Sequence, residues 1–415
     1  MWYLEGDSVA DPTTTFIEGW IRQIEEGNPP SGWEDGSFDI GIMSRSGSPK
    51  KPRTRNLAPD PDATPRQKGA ASFSDASLGY ASSESGSNRS IPISSGSSSP
   101  RKRELELRNA KQYPLQRKRM TAGIAQITPL MQDLAHLING PTIPYNMKAR
   151  ITMQESFPNP PLESWFMPPT TDQSVIANDE YIYRRLRMVR RRTAECEDRL
   201  SHESTWNDSV HSPLLEVALY ESEQDGVSYE NITQCRIYPG LRDPDPFITD
   251  ARIDYGIFFE PREDSSLYSA IKTFKARNEN NRVAHVQLTD ERDTPLAISI
   301  ETKNPKSTGG GVAGPAQLGT WVRAHFRHLE SLPRADPDNL PMLPIIFVNG
   351  ADWRVDFAQR TPDKLIIWES IQIGSTDSSH GCYAIIAALQ RLAGWCRDEY
   401  APWWEKALAG LEGPV

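Results

Sequence analysis

Residues 296–303 read Leu-Ala-Ile-Ser-Ile-Glu-Thr-Lys and form the most informative stretch of this chain. Side chains along a β-strand alternate between two faces, so the stretch predicts a strand whose one face carries its three aliphatic residues Leu, Ile and Ile. On the opposite face, two small residues are followed by Glu301 and Lys303. A carboxylate and an ammonium at the end of a buried strand are costly unless they serve each other or a metal ion. The pair therefore indicates a catalytic site.

The composition divides the chain into three parts. The segment 71–100 contains 13 serines in 30 residues and few apolar side chains, so it cannot offset the entropy lost on ordering. We therefore predict a disordered linker, rich in Ser, Pro and Gly and carrying basic clusters, over 28–122. Before it, a capping-box pattern at 15–18 predicts a short amphipathic helix within 1–27, which either docks on the main domain or binds a protein partner. The remaining residues, 123–415, are long enough to form one domain.

Composition and charge exclude several classes of protein. The sequence has no run of about 18 apolar residues, so no membrane span is expected, and its acidic start lacks the layout of a signal peptide. Four scattered cysteines without a Cys-x-x-Cys pair indicate reduced thiols in an intracellular protein. The net charge of −9 argues against a broad, nonspecific grip on nucleic acid, but it leaves room for a local one.

Basic residues are concentrated in four clusters, at 50–53, 101–103, 117–119 and 184–192. The first three lie in or beside the predicted linker. Such clusters suit nuclear-import signals or phosphate-binding arms, and they equally suit a tail that charges keep solvated. Location in the nucleus is therefore one of two expectations for this chain.

The order of helical and strand patterns predicts an α/β fold. A polar stretch over 260–283 is expected to be a long loop, and the three glycines at 309–311 a hinge or rim before a helix that begins near Gly314-Pro315. The predicted elements are helices near 172–198 and 204–220, strands at 252–259, 296–303, 343–348, 353–358 and 365–369, and helices after residues 314 and 379.

Asp254 adds a second carboxylate to the pair on the 296–303 strand. Two carboxylates at the ends of adjacent strands repel each other unless a cation lies between them, and oxygen ligands favour Mg²⁺ or Mn²⁺ over Zn²⁺. With Lys303 alongside, the set indicates metal-dependent hydrolysis of a phosphodiester. The competing interpretation is a buried Glu-Lys salt bridge with an unrelated aspartate. His325 and His328, at i and i+3, are assigned to packing rather than to a metal.

The order of these residues resembles the PD-(D/E)XK nuclease superfamily, in which an aspartate precedes a Glu-x-Lys strand. The surrounding sequence is most similar to fungal PD-(D/E)XK nuclease-like domain proteins, and the resemblance covers roughly 172–404. Short matching pieces carry it in order: Glu203, Trp206-Asn207, Val210-His211, 300–303, 317–321, 343–346, Asp352-Trp353, 374–376 and 389–393.

The resemblance implies a restriction-endonuclease-like core, with a central mixed sheet flanked by helices. It also implies that Asp254 and Glu301 bind a metal ion together with the carbonyl of Thr302, and that Lys303 is the catalytic lysine. Ile253 stands where the family name has proline. That departure is common in the superfamily.

Helical residues complete the implied site. Gln317, with Trp321 one turn later, is similar to the Gln-x-x-x-Tyr element of recombination-type exonucleases in the superfamily. His211 looks like the histidine that those enzymes add as a metal ligand, and Glu203 is its rival for that role. The sequence thus predicts a Mg²⁺- or Mn²⁺-dependent nuclease, with DNA favoured over RNA as its partner. The alternative is a catalytically silent nuclease fold that binds nucleic acid or protein.

Overall fold

The structure is a computed structural model that describes residues 99–120, 128–155, 160–248, 250–277, 281–288, 294–305 and 310–411. The amphipathic helix predicted within 1–27 and most of the predicted linker lie outside these residues. No helix among the described residues is long and apolar enough to cross a membrane.

Helices are numbered here in chain order. They are α1 Pro100–Arg108, α2 Pro129–Leu137, α3 Lys148–Gln154, α4 Gln173–Asp198, α5 Glu203–Trp206, α6 Ser212–Leu219, α7 Ser266–Arg277, α8 Gly310–Glu330, α9 Ser379–Trp395 and α10 Ala401–Ala407. Two π-helical segments, Asn207–His211 and Cys396–Tyr400, join α5 to α6 and α9 to α10. Short 3₁₀ turns occupy Tyr145–Met147, Glu163–Trp165, Ser222–Asp225 and Pro239–Leu241.

One seven-stranded sheet organises the described residues, in the order β1-β7-β6-β5-β4-β3-β2. Its strands are β1 Leu115–Arg119, β2 Val227–Asn231, β3 Tyr255–Phe259, β4 Leu296–Lys303, β5 Leu343–Asn349, β6 Asp352–Arg360 and β7 Leu365–Ser375. The pairs β1/β7 and β4/β5 are parallel and the other pairs are antiparallel. The predicted mixed sheet flanked by helices is therefore confirmed.

The strand β4, which carries Glu301 and Lys303, lies inside this sheet. All eight residues of β4 are buried, because β3 and β5 cover its edges and α8 packs against it. Tyr255 pairs with Ile300, which places the start of β3 beside the end of β4. A strand buried on both faces can hold charged side chains only if they have partners. This position explains why two charges at its end require a specific environment.

The described segment 99–120 differs from the disorder predicted up to residue 122. Ser99 caps α1, and β1 adds a parallel edge strand to β7. Arg117 ties the two elements to the domain, since its guanidinium lies 2.9 Å from Glu104 and 3.3 Å from Glu369 and donates to the Pro315 carbonyl. The linker prediction is therefore wrong for this segment. Its apolar content is low, but ion pairs to residues distant in the sequence hold it in an ordered structure. Use of the 117–119 cluster as an import signal would require β1 to leave the sheet.

Two other expectations are corrected. The predicted loop over 260–283 contains α7, which buries Leu267, Ile271 and Phe274 at helical spacing. The helix after the catalytic strand begins at Gly310, earlier than the Gly314-Pro315 pair, and keeps the proline inside its first two turns. Gly310 and Gly311 thus lie in the first turn of a helix, and Gly309 lies outside the described residues. The remaining predicted helices and strands appear close to their expected positions.

Candidate active site

Asp254, Glu301 and Lys303 come together where β3 begins and β4 ends. The backbone N–H of Asp254 donates to the Ile300 carbonyl at 3.2 Å, so the antiparallel pairing sets the aspartate beside the last residues of β4. Asp254 is 4% exposed and Glu301 is 1% exposed, so both carboxylates are withdrawn from bulk water. The register of two neighbouring strands therefore assembles the three residues that the sequence singled out.

Glu301 is the least satisfied group of the site. Its Oε1 lies 2.6 Å from the Nζ of Lys303, in an ion pair reinforced by a hydrogen bond. Its Oε2 is buried and accepts no hydrogen bond from the described residues. A buried carboxylate with unused lone pairs costs free energy, which a cation with free coordination positions would recover.

Lys303 holds three groups at once. Its ammonium donates to the carbonyl of Thr302 at 2.7 Å and lies 3.2 Å from an oxygen of Glu203, in addition to its contact with Glu301. These are oxygens that the resemblance assigns to a metal ion. The structure thus brings Glu203, the rival acidic residue on α5, into contact with the catalytic strand.

The charges of this cluster shift the pKa values of its members. Burial raises the pKa of the Glu301 carboxyl well above its usual range, Lys303 opposes that rise, and Asp254 adds to it. Burial alone would lower the pKa of Lys303, but Glu301 and Glu203 outweigh it, so the pKa is raised and the amine stays protonated. Protonated Lys303 is the counter-ion that keeps Glu301 tolerable at this depth.

Asp254 has the opposite environment, because donors surround its carboxylate. Oδ2 accepts the backbone N–H of Thr302 at 2.9 Å and lies 3.0 Å from the Thr302 hydroxyl, while Oδ1 accepts the side-chain N–H of Asn207 at 3.3 Å. Hydrogen bonds to the ionised form stabilise it and fix its orientation. Thr302 therefore contributes to the site through its N–H and hydroxyl as well as through its carbonyl.

Asn207 is a site residue that sequence reasoning missed. Its amide oxygen lies 2.8 Å from the Thr302 hydroxyl and 2.9 Å from His211 Nδ1, so one buried amide links α5/α6 to both catalytic strands. It begins the π-helical segment that ends at His211, and single π turns occur frequently at functional sites. The one sequence signal for Asn207 was its place in the pieces shared with the nuclease-like family.

His211 is linked to Asp254 through Asn207, which contacts the histidine ring and donates a hydrogen bond to the aspartate. Its Nε2 lies 2.8 Å from the carbonyl of Gly350, so both ring nitrogens face oxygens of the protein. Burial lowers the pKa of His211 to about 4, against a smaller opposing effect of the Gly350 hydrogen bond. A neutral ring held from both sides suits a positioning role. Its role as a metal ligand stays a prediction that requires one of these contacts to break.

Gly350 owes its position to a tight hairpin between β5 and β6. Its φ of +61° is left-handed, and an added Cβ would lie 2.7 Å from the Pro305 ring. Its own N–H donates to the Lys303 carbonyl at 2.8 Å. This one glycine therefore connects the end of the catalytic strand to His211.

Gln317 and Trp321 lie farther from the carboxylates. Gln317 Nε2 donates to the Arg252 carbonyl at 3.1 Å, which steadies the chain two residues before Asp254. Trp321 is fully buried against the ring of His285, at 5.0 Å between centroids. The predicted catalytic role of Gln317 stays a prediction, and the contact with the backbone favours a supporting one.

The oxygen atoms at the site fit Mg²⁺ better than a metal held wholly by side chains. Among the described residues no three His, Cys, Asp or Glu side chains form a metal-binding group. Asp254 and Glu301 supply two carboxylates and Thr302 supplies a carbonyl. Mg²⁺ is commonly held by one or two carboxylates, with waters and substrate phosphates completing its octahedron. The buried Oε2 of Glu301, without a hydrogen bond from the described residues, is the observation that favours such an ion.

The other histidines form a separate cluster. His285 stacks on His325 at 4.6 Å, His325 Nε2 lies 3.1 Å from the Tyr400 hydroxyl, and His328 Nε2 lies 2.7 Å from the Arg282 carbonyl. His325 and His328 are both buried, so these contacts agree with a role in packing and not with a place on the surface.

Comparison with known proteins gives one match. A family model described as PD-(D/E)XK nuclease superfamily matches residues 150–401, which include every site residue named above. Neither the curated proteins nor the solved structures contain a match to this chain. The family match covers more than half of the chain and agrees with the mixed sheet and with the Asp254, Glu301 and Lys303 cluster. The chain belongs to the PD-(D/E)XK nuclease superfamily.

Proposed function

We propose that this protein is a metal-dependent nuclease that hydrolyses phosphodiester bonds of nucleic acid. The observation that carries the proposal is the Glu301 carboxylate, which is buried, close to a second buried carboxylate, and has one oxygen, Oε2, without a hydrogen bond from the described residues. A cluster built only for stability would be improved by replacing such a group with an apolar one.

Asp254, Glu301 and the Thr302 carbonyl would hold Mg²⁺ or Mn²⁺, with Glu203 at the outer side. When bound, such an ion supplies Lewis-acid polarisation of a phosphoryl oxygen and a more acidic water. Glu203 has a side chain 37% exposed, which suits a residue at the open side of the site.

Lys303 supplies a fixed positive charge. Its ammonium is protonated and contacts three oxygens of the protein. Because it already carries its proton, it can turn toward a scissile phosphate without first acquiring one. Positive charge placed where negative charge develops lowers the barrier of phosphoryl transfer. Asn207 and His211 hold Asp254 and Thr302 in place, so the carboxylate need not reorganise when a cation binds.

The proposal is tested by cleavage of labelled single-stranded DNA, double-stranded DNA and RNA, with Mg²⁺ or Mn²⁺ and with a chelator. We expect metal-dependent cleavage that Glu301→Ala abolishes. Glu263→Ala, which removes an exposed carboxylate outside the site, is the matched control and should cleave like the parent. Cleavage that persists in folded Glu301→Ala would refute the proposed site.

A second candidate is a silent nuclease fold that binds nucleic acid or protein without cleaving it. The observation that favours it is the saturation of Asp254, whose oxygens already accept hydrogen bonds from Thr302 and Asn207. Metal binding separates the two functions, because a silent module needs no stabilisation by Mg²⁺. Absence of both cleavage and metal-induced stabilisation, in folded protein, would select this alternative.

Preference for DNA, an intracellular or nuclear location, and a protein partner for the N-terminal helix belong to the same proposal. They are supported by the composition and by the basic clusters of the N-terminal region. Fractionation of cells expressing the full chain, and of a variant lacking the 50–53 cluster, would test the location.

A further inference from the structure

The solvent face of α4 carries a row of arginines. Six arginines and no acidic residue occupy 184–192. The buried residues of α4 lie on the face of Tyr183, Leu186 and Val189, so the opposite face is exposed. Arg184, Arg187 and Arg191 recur on that opposite face at i, i+3 and i+7 and are all exposed. The row extends about 10 Å along the helix axis.

These arginines differ from two of the other three in the same run; the third, Arg192, lies 2.8 Å from Glu195 on the same helix. Arg185 reaches Glu216 at 3.0 Å, and Arg190 donates to Ser379 at 2.9 Å and pairs with Glu155, so both are used in packing α4 on the domain. Arg184, Arg187 and Arg191 therefore have no comparable role in packing α4 on the domain.

The acidic residues near these three arginines bind them only weakly, so the row remains available to bind an incoming anion. Arg184 lies 3.0 Å from Glu180 and Arg191 lies 3.6 Å from Glu195, at the two ends of the row, and both arginine side chains are at least 65% exposed. Exposed ion pairs of this kind are worth at most about 1 kcal/mol, so an incoming phosphate can displace them. Arg187 lies over the Tyr183 ring at 5.9 Å and has no carboxylate within ion-pair distance among the described residues.

The C-terminal half of α4 lies at the same end of the sheet as the candidate site. Val189 and Cys196 pack with Trp206, Val210 and Ala351, directly beneath the π segment and the Gly350 hairpin. The chain that follows α4 touches the catalytic strand, because the Ser201 carbonyl accepts a hydrogen bond from Asn304 at 2.6 Å. The row of arginines therefore leads toward Glu203 and Lys303.

The candidate site carries a net negative charge, so a polyanion needs a cationic surface nearby in order to approach it. The three carboxylates of the site outnumber its one ammonium, and the chain as a whole carries a net charge of −9. A polyanion approaching this end of the sheet is repelled unless local cations counter the field.

We propose that the solvent face of α4, through Arg184, Arg187 and Arg191, binds the phosphate backbone of a nucleic acid and guides it to the site. This inference rests on the proposed function for its occupant, and charge complementarity selects that occupant. Contacts to phosphates carry no base information, so the surface sets affinity and not sequence preference.

The test is binding of a labelled DNA duplex, a DNA single strand and an RNA strand to the full chain in chelator, over a series of salt concentrations. We expect the triple variant Arg184→Gln, Arg187→Gln and Arg191→Gln to bind at least about tenfold more weakly. The slope of log affinity against log salt should shrink by about two to three.

The matched control removes three exposed arginines elsewhere, with Arg236→Gln, Arg262→Gln and Arg277→Gln. It has the same change in net charge and should bind with no more than a small loss. Equal losses in the two variants would mean a general charge effect and would overturn the inference. So would parent protein that binds none of the three nucleic acids.

Because binding is measured without metal, its outcome is independent of cleavage. Specific loss of binding in the α4 variant, with no cleavage by the parent, would support the surface and remove the nuclease. Metal-dependent cleavage with unchanged binding in the α4 variant would support the nuclease and remove the surface.

Discussion

Asp254 and Glu301 are buried side by side, yet their surroundings are built on different principles. Asp254 accepts neutral hydrogen bonds from Thr302 and Asn207 and is held rigidly without any ion. Glu301 is supported by the charged Lys303 ammonium at Oε1, and its Oε2 lacks a hydrogen bond from the described residues. We call these the hydrogen-bonded half and the ionic half of the site.

The difference separates two tasks. The hydrogen-bonded half is satisfied as it stands, so it can define geometry before anything binds. The ionic half is satisfied only in part, so it gains most when a cation arrives. On this view Lys303 serves as the counter-ion of Glu301 in the metal-free protein and becomes free to face a phosphate when a metal ion takes over that charge.

The largest effect is expected from Lys303→Ala. Loss of a positive charge aimed at the scissile phosphate should lower the cleavage rate by about 10²–10³-fold or more. Single-turnover cleavage at saturating metal measures it, with circular dichroism to show that the variant is folded. A rate within a few-fold of the parent would remove the ionic half from the mechanism.

The next largest effect is expected in the stabilisation of the protein by metal binding. At a metal concentration one hundred times Kd, the free energy of unfolding of the parent should rise by about 2.7 kcal/mol. Glu301→Gln should lose this gain, whereas Lys303→Ala should keep or enlarge it, because its ammonium no longer contacts the same oxygens. Denaturant titrations with and without Mg²⁺ report both. The view of Lys303 as a counter-ion fails if Lys303→Ala loses metal-induced stabilisation as Glu301→Gln does.

Stability without metal should distinguish the two carboxylates. Asp254→Asn places an N–H₂ group against the donors of Thr302 and Asn207 and should lower the free energy of unfolding by about 1–3 kcal/mol. Glu301→Gln removes a buried charge and leaves Lys303 paired with Glu203, so a change below about 1 kcal/mol is expected. Chemical unfolding in chelator measures both variants. The reverse order would break the distinction between the two halves.

The buried histidines outside the site bear least on the comparison of the two halves. Burial lowers the pKa of His325 to about 3 and of His328 to about 4, and it lowers the pKa of His285 well below its usual value. The unfolded chain binds protons first as the pH falls below about 6.5. Stability contributed by these neutral rings is therefore complete above that pH and declines toward pH 4, by at most about 1.4 kcal/mol per pH unit for each histidine.

His285→Leu isolates one of these contributions. Both ring nitrogens of His285 lack hydrogen bonds from the described residues, so the change should cost less than about 1 kcal/mol at pH 7 and should make the acid dependence shallower. His136→Leu, at an exposed histidine, is the control and should leave the slope unchanged. Unfolding curves from pH 7 to pH 4.5 measure both, and identical slopes for His285→Leu and the parent would contradict the prediction.

Local pattern was sufficient for most of the fold and for the core of the site. The alternation in 296–303 predicted a buried strand ending in two charges, and helical periodicity predicted α4 and α9. The apolar periodicity of α7 is obscured by the polar residues around it. The order of the segment 99–120 has no signal in its local sequence. That segment is held by Arg117 through partners at 104 and 369, which no local pattern relates.

The candidate site residues could be named from the sequence, because strand alternation and the Asp254 and Glu-x-Lys order are local properties of the chain. How each of them is held follows from the packing of distant segments. Asn207 reaches Asp254 across 47 residues and Thr302 across 95, and Glu203 reaches Lys303 across 100. Hydrogen bonds and ion pairs over such separations depend on how strands and helices pack, and that packing also placed the arginines of α4 at the end of the sheet where the site lies.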